Sequence, residues 1–120
     1  MIYIGIVGSR HRDELIRIHA LIIKKENEYG EITIVSGGAT GIDDNAYDMC
    51  MKLGVPILVI PPKRYEYHIK GNDIFFERNK LIAIKSNELH AYPQNRRGGT
   101  MNTVRHFREL GKKDKLFIYD

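Results

Sequence analysis

Three short stretches of this 120-residue chain combine small residues with groups able to hold an anion: Gly8-Ser9-Arg10, Ser36-Gly37-Gly38-Ala39-Thr40-Gly41-Ile42-Asp43, and Gly98-Gly99-Thr100, the last preceded by Arg96 and Arg97. The middle stretch leaves an apolar run at 32–35 and opens a segment with helical spacing: Ile42, Ala46, Met49, Cys50 and Leu53. A glycine-rich turn at the start of a helix gathers free backbone N–H groups at the positive end of the helix dipole, a natural seat for phosphate or carboxylate. Glycine equally serves a tight strand-to-helix connection, through positive φ and close packing. The stretch is neither a phosphate loop ending in Gly-Lys-Ser/Thr nor a Gly-x-Gly-x-x-Gly turn.

Other chemistries find less support. The five histidines (His11, His19, His68, His90, His106) show no metal-ligand spacing and cysteine occurs once, so the sequence predicts no metal site and calls for no cofactor. Ser9 and Ser36 lie in or beside glycine turns, but no Gly-x-Ser-x-Gly elbow appears. Cys50 falls on the apolar face of its helix and reads as buried and inert. His11 could touch a ligand or face solvent. Tyr65 and Tyr67 could stack on a base or pack against the sheet edge.

The elements that must position these groups alternate along the chain. Strands are predicted at 2–7, 32–35, 55–60, 88–92 and 115–119, and helices at 13–29, 41–53, 74–86 and 100–110. In the first helix the apolar stripe is read as Leu15, Ile16, Ile18, His19, Ile22 and Ile23, and an irregular loop is expected at 63–73. Phe75, Phe76, Leu81 and Ile84 are expected either in the core or on a surface that pairs with a second copy. The fold class is therefore α/β: a doubly wound, parallel, five-stranded sheet with right-handed crossovers and helices on both faces. With 42% hydrophobic residues, 1–120 is expected to form one domain. No run reaches the roughly 20 apolar residues of a membrane span, and the N-terminus has no basic region or cleavage site, so a cytoplasmic protein with no membrane association is expected.

If the strand order is 3-2-1-4-5, a ligand crevice lies beyond the carboxyl ends of strands one and four, where the order reverses. The loops at 8–12, 36–43 and 93–100 then converge there. The net charge is +4, with 6 Lys/Arg against 8 Asp/Glu in residues 1–62 and 13 against 7 in residues 63–120, so the basic half either faces an anion or is simply well solvated. Arg96, Arg97, Arg105 and Arg108 cluster around the last glycine motif and could attract a polyanion.

Taken together, Ile6-Val7-Gly8-Ser9-Arg10, the 36–43 stretch, Arg78-Asn79 and Gly98-Gly99-Thr100 resemble, in order and spacing, the SLOG superfamily of Rossmann-like domains, which includes DprA-like, YspA-like and Lonely Guy (LOG) proteins. The DprA and YspA side is the more similar. The resemblance implies a crevice for a nucleotide or nucleotide derivative, acting as a sensor or as an enzyme of unknown reaction, often in a homodimer. The alternative it carries is DprA-like binding of single-stranded nucleic acid. By position, Gly8, Ser9 and Arg10 would contact phosphate, Ser36, Gly37, Gly38, Thr40 and Gly41 would form the cradle floor, and Gly98, Gly99 and Thr100 would complete it. Asp43 would orient a loop or bind a ribose hydroxyl, and Arg78 with Asn79 would face a phosphate or ribose-linked group. In LOG enzymes a glutamate acts on the N-glycosidic bond; Thr103 stands at that position here, and a hydroxyl does not replace a carboxylate in such chemistry.

Overall fold

The computed structural model describes residues 1–62 and 73–120; the expectations for the 63–73 loop, including Tyr65, Tyr67 and His68, fall essentially outside the described residues. Nearly continuous apolar sequence makes β1 (Ile2–Gly8) a strand covered on both faces. Ile4 and Ile6 point to one helical layer and Val7 to the other. β1 is flanked by β2 (Ile32–Ser36) and β4 (Glu88–Tyr92), and the edges are β3 (Ile57–Val59) and β5 (Leu116–Ile118). The order is β3-β2-β1-β4-β5, parallel throughout, as the sequence predicts.

Helices α1 (Leu15–Tyr29) and α2 (Ile42–Leu53) cover one face, and α3 (Asp73–Lys85) and α4 (Gly98–Glu109) the other. The first core joins Ile4, Ile6 and Ile34 to Ile18, Ile22, Ile42 and Met49; the second joins Val7, Val35 and Leu89 to Ile82, Val104 and Phe107. Among the described residues, no helix is long and apolar enough to cross a membrane.

Boundaries differ from expectation in three places. β3 covers three residues rather than the expected 55–60, because Pro56 and Pro61 bring no N–H to the ladder. α1 begins at Leu15 rather than at residue 13, since Asp13 stays outside and its Oδ1 accepts the Leu15 N–H at 3.3 Å. α4 begins at Gly98, two residues early. The stripe of α1 also turns: Ile18, Leu21, Ile22 and Lys25 are buried, whereas Leu15, Ile16 and Ile23 are exposed, Ile16 by 84%. On α3, Phe76, Leu81 and Ile84 are exposed and Phe75 is half-buried.

Lys25 is buried because it meets a carboxylate on the sheet. Along β4, Leu89 and Ala91 face α3 and α4, while Glu88, His90 and Tyr92 lie under the other layer or beside it. Lys25 Nζ lies 2.6 Å from Glu88 Oε1, the Tyr29 hydroxyl donates to Glu88 Oε2 at 2.7 Å, and His90 Nε2 lies 2.7 Å from Glu88 Oε1. His90 Nδ1 meets the Tyr119 hydroxyl at 2.8 Å. With Glu88 ionised, His90 donates through Nε2 and accepts the Tyr119 O–H. Burial raises the Glu88 carboxyl, but hydrogen bonds from Lys25, Tyr29 and His90 outweigh it and leave it below its ordinary value. Burial likewise holds the His90 imidazole below its ordinary value, in its neutral form, against the pull of Glu88.

Candidate phosphate-binding crevice

The three glycine-bearing loops meet at the carboxyl ends of β1, β2 and β4 and enclose a crevice of about 360 Å³. Two backbone approaches bring the first two loops together. Ile42 N–H points to Ser9 O at 3.3 Å, and Gly41, at φ +72°, lies so close that a Cβ there would sit 2.5 Å from Ser9 O and 2.6 Å from Arg10 Cα. The third loop is attached through Ser9, whose N–H donates to Tyr92 O at 2.9 Å and whose hydroxyl lies 3.2 Å from Gln94 Oε1. Arg12 adds a clamp: Nη1 donates to Pro93 O at 2.7 Å and to Tyr119 O at 2.6 Å, while Nη2 pairs with Glu14 at 2.8 Å.

Of the residues expected at the site, Gly8, Ser9, Arg10, Gly37, Asp43, Arg78, Asn79, Gly98, Gly99 and Thr100 line the crevice. Ser36, Gly38, Thr40 and Gly41 are not in its wall. Ser36 is buried with its hydroxyl 3.4 Å from Gly38 N; with Gly38 it borders a smaller depression beside Tyr47 and Val59, and Thr40 is exposed. Gln94 and Asn95 join the wall without having been foreseen. Asn95 and Arg96 take φ of 55° and 50°, a left-handed pair that turns the loop toward α4; the only hint in the sequence is asparagine's tolerance of that region.

The N-terminus of α4 opens on the crevice. Its first turn carries no acidic residue and no side chain caps its N–H groups, whereas the first turn of α2 already holds Asp43 and Asp44. Arg10 and Arg97, both exposed, stand on either side. The Thr103 hydroxyl donates back to Gly99 O at 3.1 Å, so it braces the helix it belongs to.

Arg78 reaches across from α3. Its Nη1 donates to Gly37 O at 2.7 Å, its Nε donates to Asn79 Oδ1 at 3.0 Å, and its guanidinium lies 5.8 Å from the Phe75 ring centre. A Cβ on Gly37 would be 2.6 Å from Arg78 Nη1, so a side chain there requires the guanidinium to shift. Asn79 in turn donates to Gly99 O at 3.3 Å and to Asn102 Oδ1 at 3.2 Å, which fastens α3 to the start of α4. Through Arg10, Arg78, Asn79, Gly98 and Gly99 the crevice continues into an outer basin of about 600 Å³ lined by Phe75, Phe76, Met101 and Arg105. Of the four clustered arginines, Arg97 and Arg105 therefore face this side. Arg96 turns away to pair with Asp120 at 2.8 and 2.6 Å, and it borders a separate groove with Arg108 and Lys113.

Asp43 is the one carboxylate in the crevice wall among the described residues. Oδ2 accepts the Ala39 N–H at 3.0 Å, which shapes the 36–43 loop, but Oδ1 is buried with no hydrogen-bond partner. Burial pushes its pKa up to about 6, against the Ala39 N–H, the Arg78 charge and the Ser36 hydroxyl. Since the folded value lies above the unfolded one, the ionised group destabilises the fold at neutral pH, and stability returns as pH falls through 6 toward 4. Asp43→Asn is therefore expected to raise stability at pH 7.5 by about 1–3 kcal/mol, and that gain should vanish near pH 4. Paired urea melts of the two proteins across this range decide it; a gain that does not depend on pH would contradict the assignment.

The sequence matches the family model for DNA recombination-mediator protein A over residues 1–68. No curated protein matches it in a sequence search. Among solved structures, DNA processing protein A from Streptococcus pneumoniae superposes with a TM-score of 0.73 at 21% identity, covering 98% of this chain and 50% of that one. DNA processing protein A from Helicobacter pylori, solved to describe its single-stranded DNA binding mode, gives 0.75 at 18% identity, with 98% and 64% covered. The protein TM1055 gives 0.66 at 15% identity, with 93% and 71% covered. The chain thus spans half to about two thirds of the two processing proteins, and the sheet order and these superpositions show the same Rossmann-like α/β fold.

Proposed function

Because this chain belongs to the DNA recombination-mediator protein A family, we propose that its crevice binds single-stranded nucleic acid through backbone phosphate. The observation that carries this reading is the continuity of the polar crevice with the basin of Phe75, Phe76, Met101 and Arg105. A closed mononucleotide pocket needs no such exit. A phosphate seated on the Gly98, Gly99 and Thr100 amides would lie between Arg10 and Arg97, and the following base would meet the exposed Phe76 ring, with Arg105 available to the next phosphate. The relative from Helicobacter pylori, described by its single-stranded DNA binding mode, supports the same choice.

The test is the salt dependence of dT12 binding, followed by fluorescence anisotropy. With about three arginines on phosphates, the slope of log K against log salt is expected near −2, and Arg10→Ala and Arg97→Ala should each make it shallower by about 0.7. Absence of dT12 binding, or a slope near zero, would defeat the reading. A second reading, one nucleotide-type small molecule, draws on the inner crevice of about 360 Å³, a size suited to a single nucleotide; a melting-point rise with one mononucleotide and none with dT12 would favour it. If the domain dimerises, the exposed Leu81 and Ile84 of α3 are the apolar surface available.

A further inference from the structure

A hydrogen-bond relay runs from Arg78 to the wall of the outer basin, and its direction is fixed at the source, because a guanidinium only donates. Arg78 Nε makes Asn79 Oδ1 the acceptor of their 3.0 Å contact, which turns Asn79 Nδ2 toward Gly99 O at 3.3 Å and Asn102 Oδ1 at 3.2 Å. Asn102 therefore spends its oxygen inward and keeps its amide N–H2 for something else. The residue is only 8% exposed, and Nδ2 meets no hydrogen-bond partner among the described residues. Yet it is not buried: the one buried, unpartnered side-chain atom among them is Asp43 Oδ1. Nδ2 thus reaches solvent, and the concavity that Asn102 borders is the basin. Around it the described wall is apolar, through Phe75, Phe76 and Met101, or donating, through Arg105, and it holds no carboxylate. Both amide oxygens in that wall are engaged, Asn79 Oδ1 by Arg78 and Asn102 Oδ1 by Asn79.

We infer that the basin is a nucleobase subsite that takes bases bearing an exocyclic carbonyl oxygen and discriminates against adenine. This rests on the phosphate-binding reading above, which seats the backbone beside it. Guanine, cytosine, thymine and uracil each carry an oxygen able to accept from an amide N–H2; adenine alone has none and presents an amino donor instead. In a wall of donors that amino group gives up its water and finds no acceptor, whereas a carbonyl accepts from Asn102. The aromatic rings hold any base by its face, so they add affinity without choosing. The choice falls to the amide.

The experiment is competition against labelled dT12 at pH 7 and low salt by the dinucleoside monophosphates d(IpI) and d(ApA). Hypoxanthine and adenine are purines of equal size in which a carbonyl oxygen replaces the amino group. Each competitor has one phosphate and the same base on both sides, so strand polarity does not matter. With the wild-type protein d(IpI) is expected to compete about fivefold better, and the unsubstituted purine, with hydrogen in place of the amino group, should fall between them. Asn102→Asp keeps an oxygen for Asn79 and puts a second one where Nδ2 stood, so it should reverse the order in favour of d(ApA). A merely structural effect of the substitution would move both competitors together. The order of the three ligands is read on the wild-type protein and decides the matter even if Asn102→Asp fails to fold. Equal competition, better competition by d(ApA), no competition by either, or a d(IpI) preference untouched by Asn102→Asp would each overturn the inference. If dT12 itself fails to bind, the phosphate-binding reading falls as well; if dT12 binds and the dinucleotides are not told apart, only the base selection falls.

Discussion

Glu88→Ala is expected to cost about 3–5 kcal/mol, because it removes one partner of a buried ion pair and strands the rest. Lys25 would keep its ammonium against the sheet with only Glu28, 3.1 Å away and half exposed, to balance it. The Tyr29 hydroxyl and His90 Nε2 would each lose the oxygen they meet at 2.7 Å. Urea denaturation at pH 7.5 measures the loss as a fall in midpoint at unchanged slope. Lys25→Met with Glu88→Leu removes both charges together and should come within about 2 kcal/mol of wild type. A single-variant loss below about 1 kcal/mol would mean that water reaches the cluster.

The same cluster fixes the sign of a pH response. Glu88 has a folded pKa below its unfolded one, so its contribution is present above the ordinary carboxylate range and lost as pH falls through it. His90 is held neutral by burial, so the unfolded chain takes up its proton first as pH drops below about 6.5. Both act toward instability in acid, whereas Asp43 acts the other way between pH 6 and 4. Glu88→Ala should therefore flatten the acid side of the stability curve.

Gly41→Ala is the second large effect. A methyl at this position would stand 2.5 Å from Ser9 O and 2.7 Å from Arg10 C, and both are backbone atoms that cannot swing aside. The residue also keeps φ +72°, which costs a non-glycine residue about 1 kcal/mol or more. Strain and overpacking together give about 2–4 kcal/mol. Since the clash separates the loop of Arg10 from that of Asp43, dT12 affinity should fall about tenfold or more even below the melting point, for each tenfold needs only about 1.4 kcal/mol. Gly30→Ala is the control: its backbone angles, φ +79° and ψ −119°, nearly match the +72° and −120° of Gly41, with nothing within 4 Å of a Cβ and no place in the crevice wall. Equal behaviour of the two variants would show that backbone strain, rather than loop contact, is what Gly41 avoids.

The strand order was legible in the sequence because β1 and β2 are short apolar runs ending at glycine turns, β4 ends at Pro93, and helices separate them. The convergence of three loops followed from that order. What stayed hidden depends on side chains meeting across long stretches of chain. Lys25 reads as a solvated helix residue until Glu88, 63 positions later, is placed beneath it. Likewise Arg96 reads as part of a basic cluster until Asp120 claims it. The stripe of α1 was misassigned because isoleucines occur on several sides of the helix, so spacing alone admits more than one buried face. Arg78 and Gly37 were both placed at the site on family resemblance, but their contact, a guanidinium lying over the glycine, is a property of the fold.

The shortness of the outer strands has a consequence for life at high concentration. A parallel sheet ends in two rows of unpaired peptide groups, and such rows recruit foreign strands into aggregates. Among the described residues the outer strands offer only Ile57–Val59 and Leu116–Ile118, and Pro56 and Pro61 bracket the first of them. A three-residue edge offers an incoming strand too few hydrogen bonds to offset its lost freedom, so the boundary that trimmed β3 also protects the protein from self-templated β-assembly.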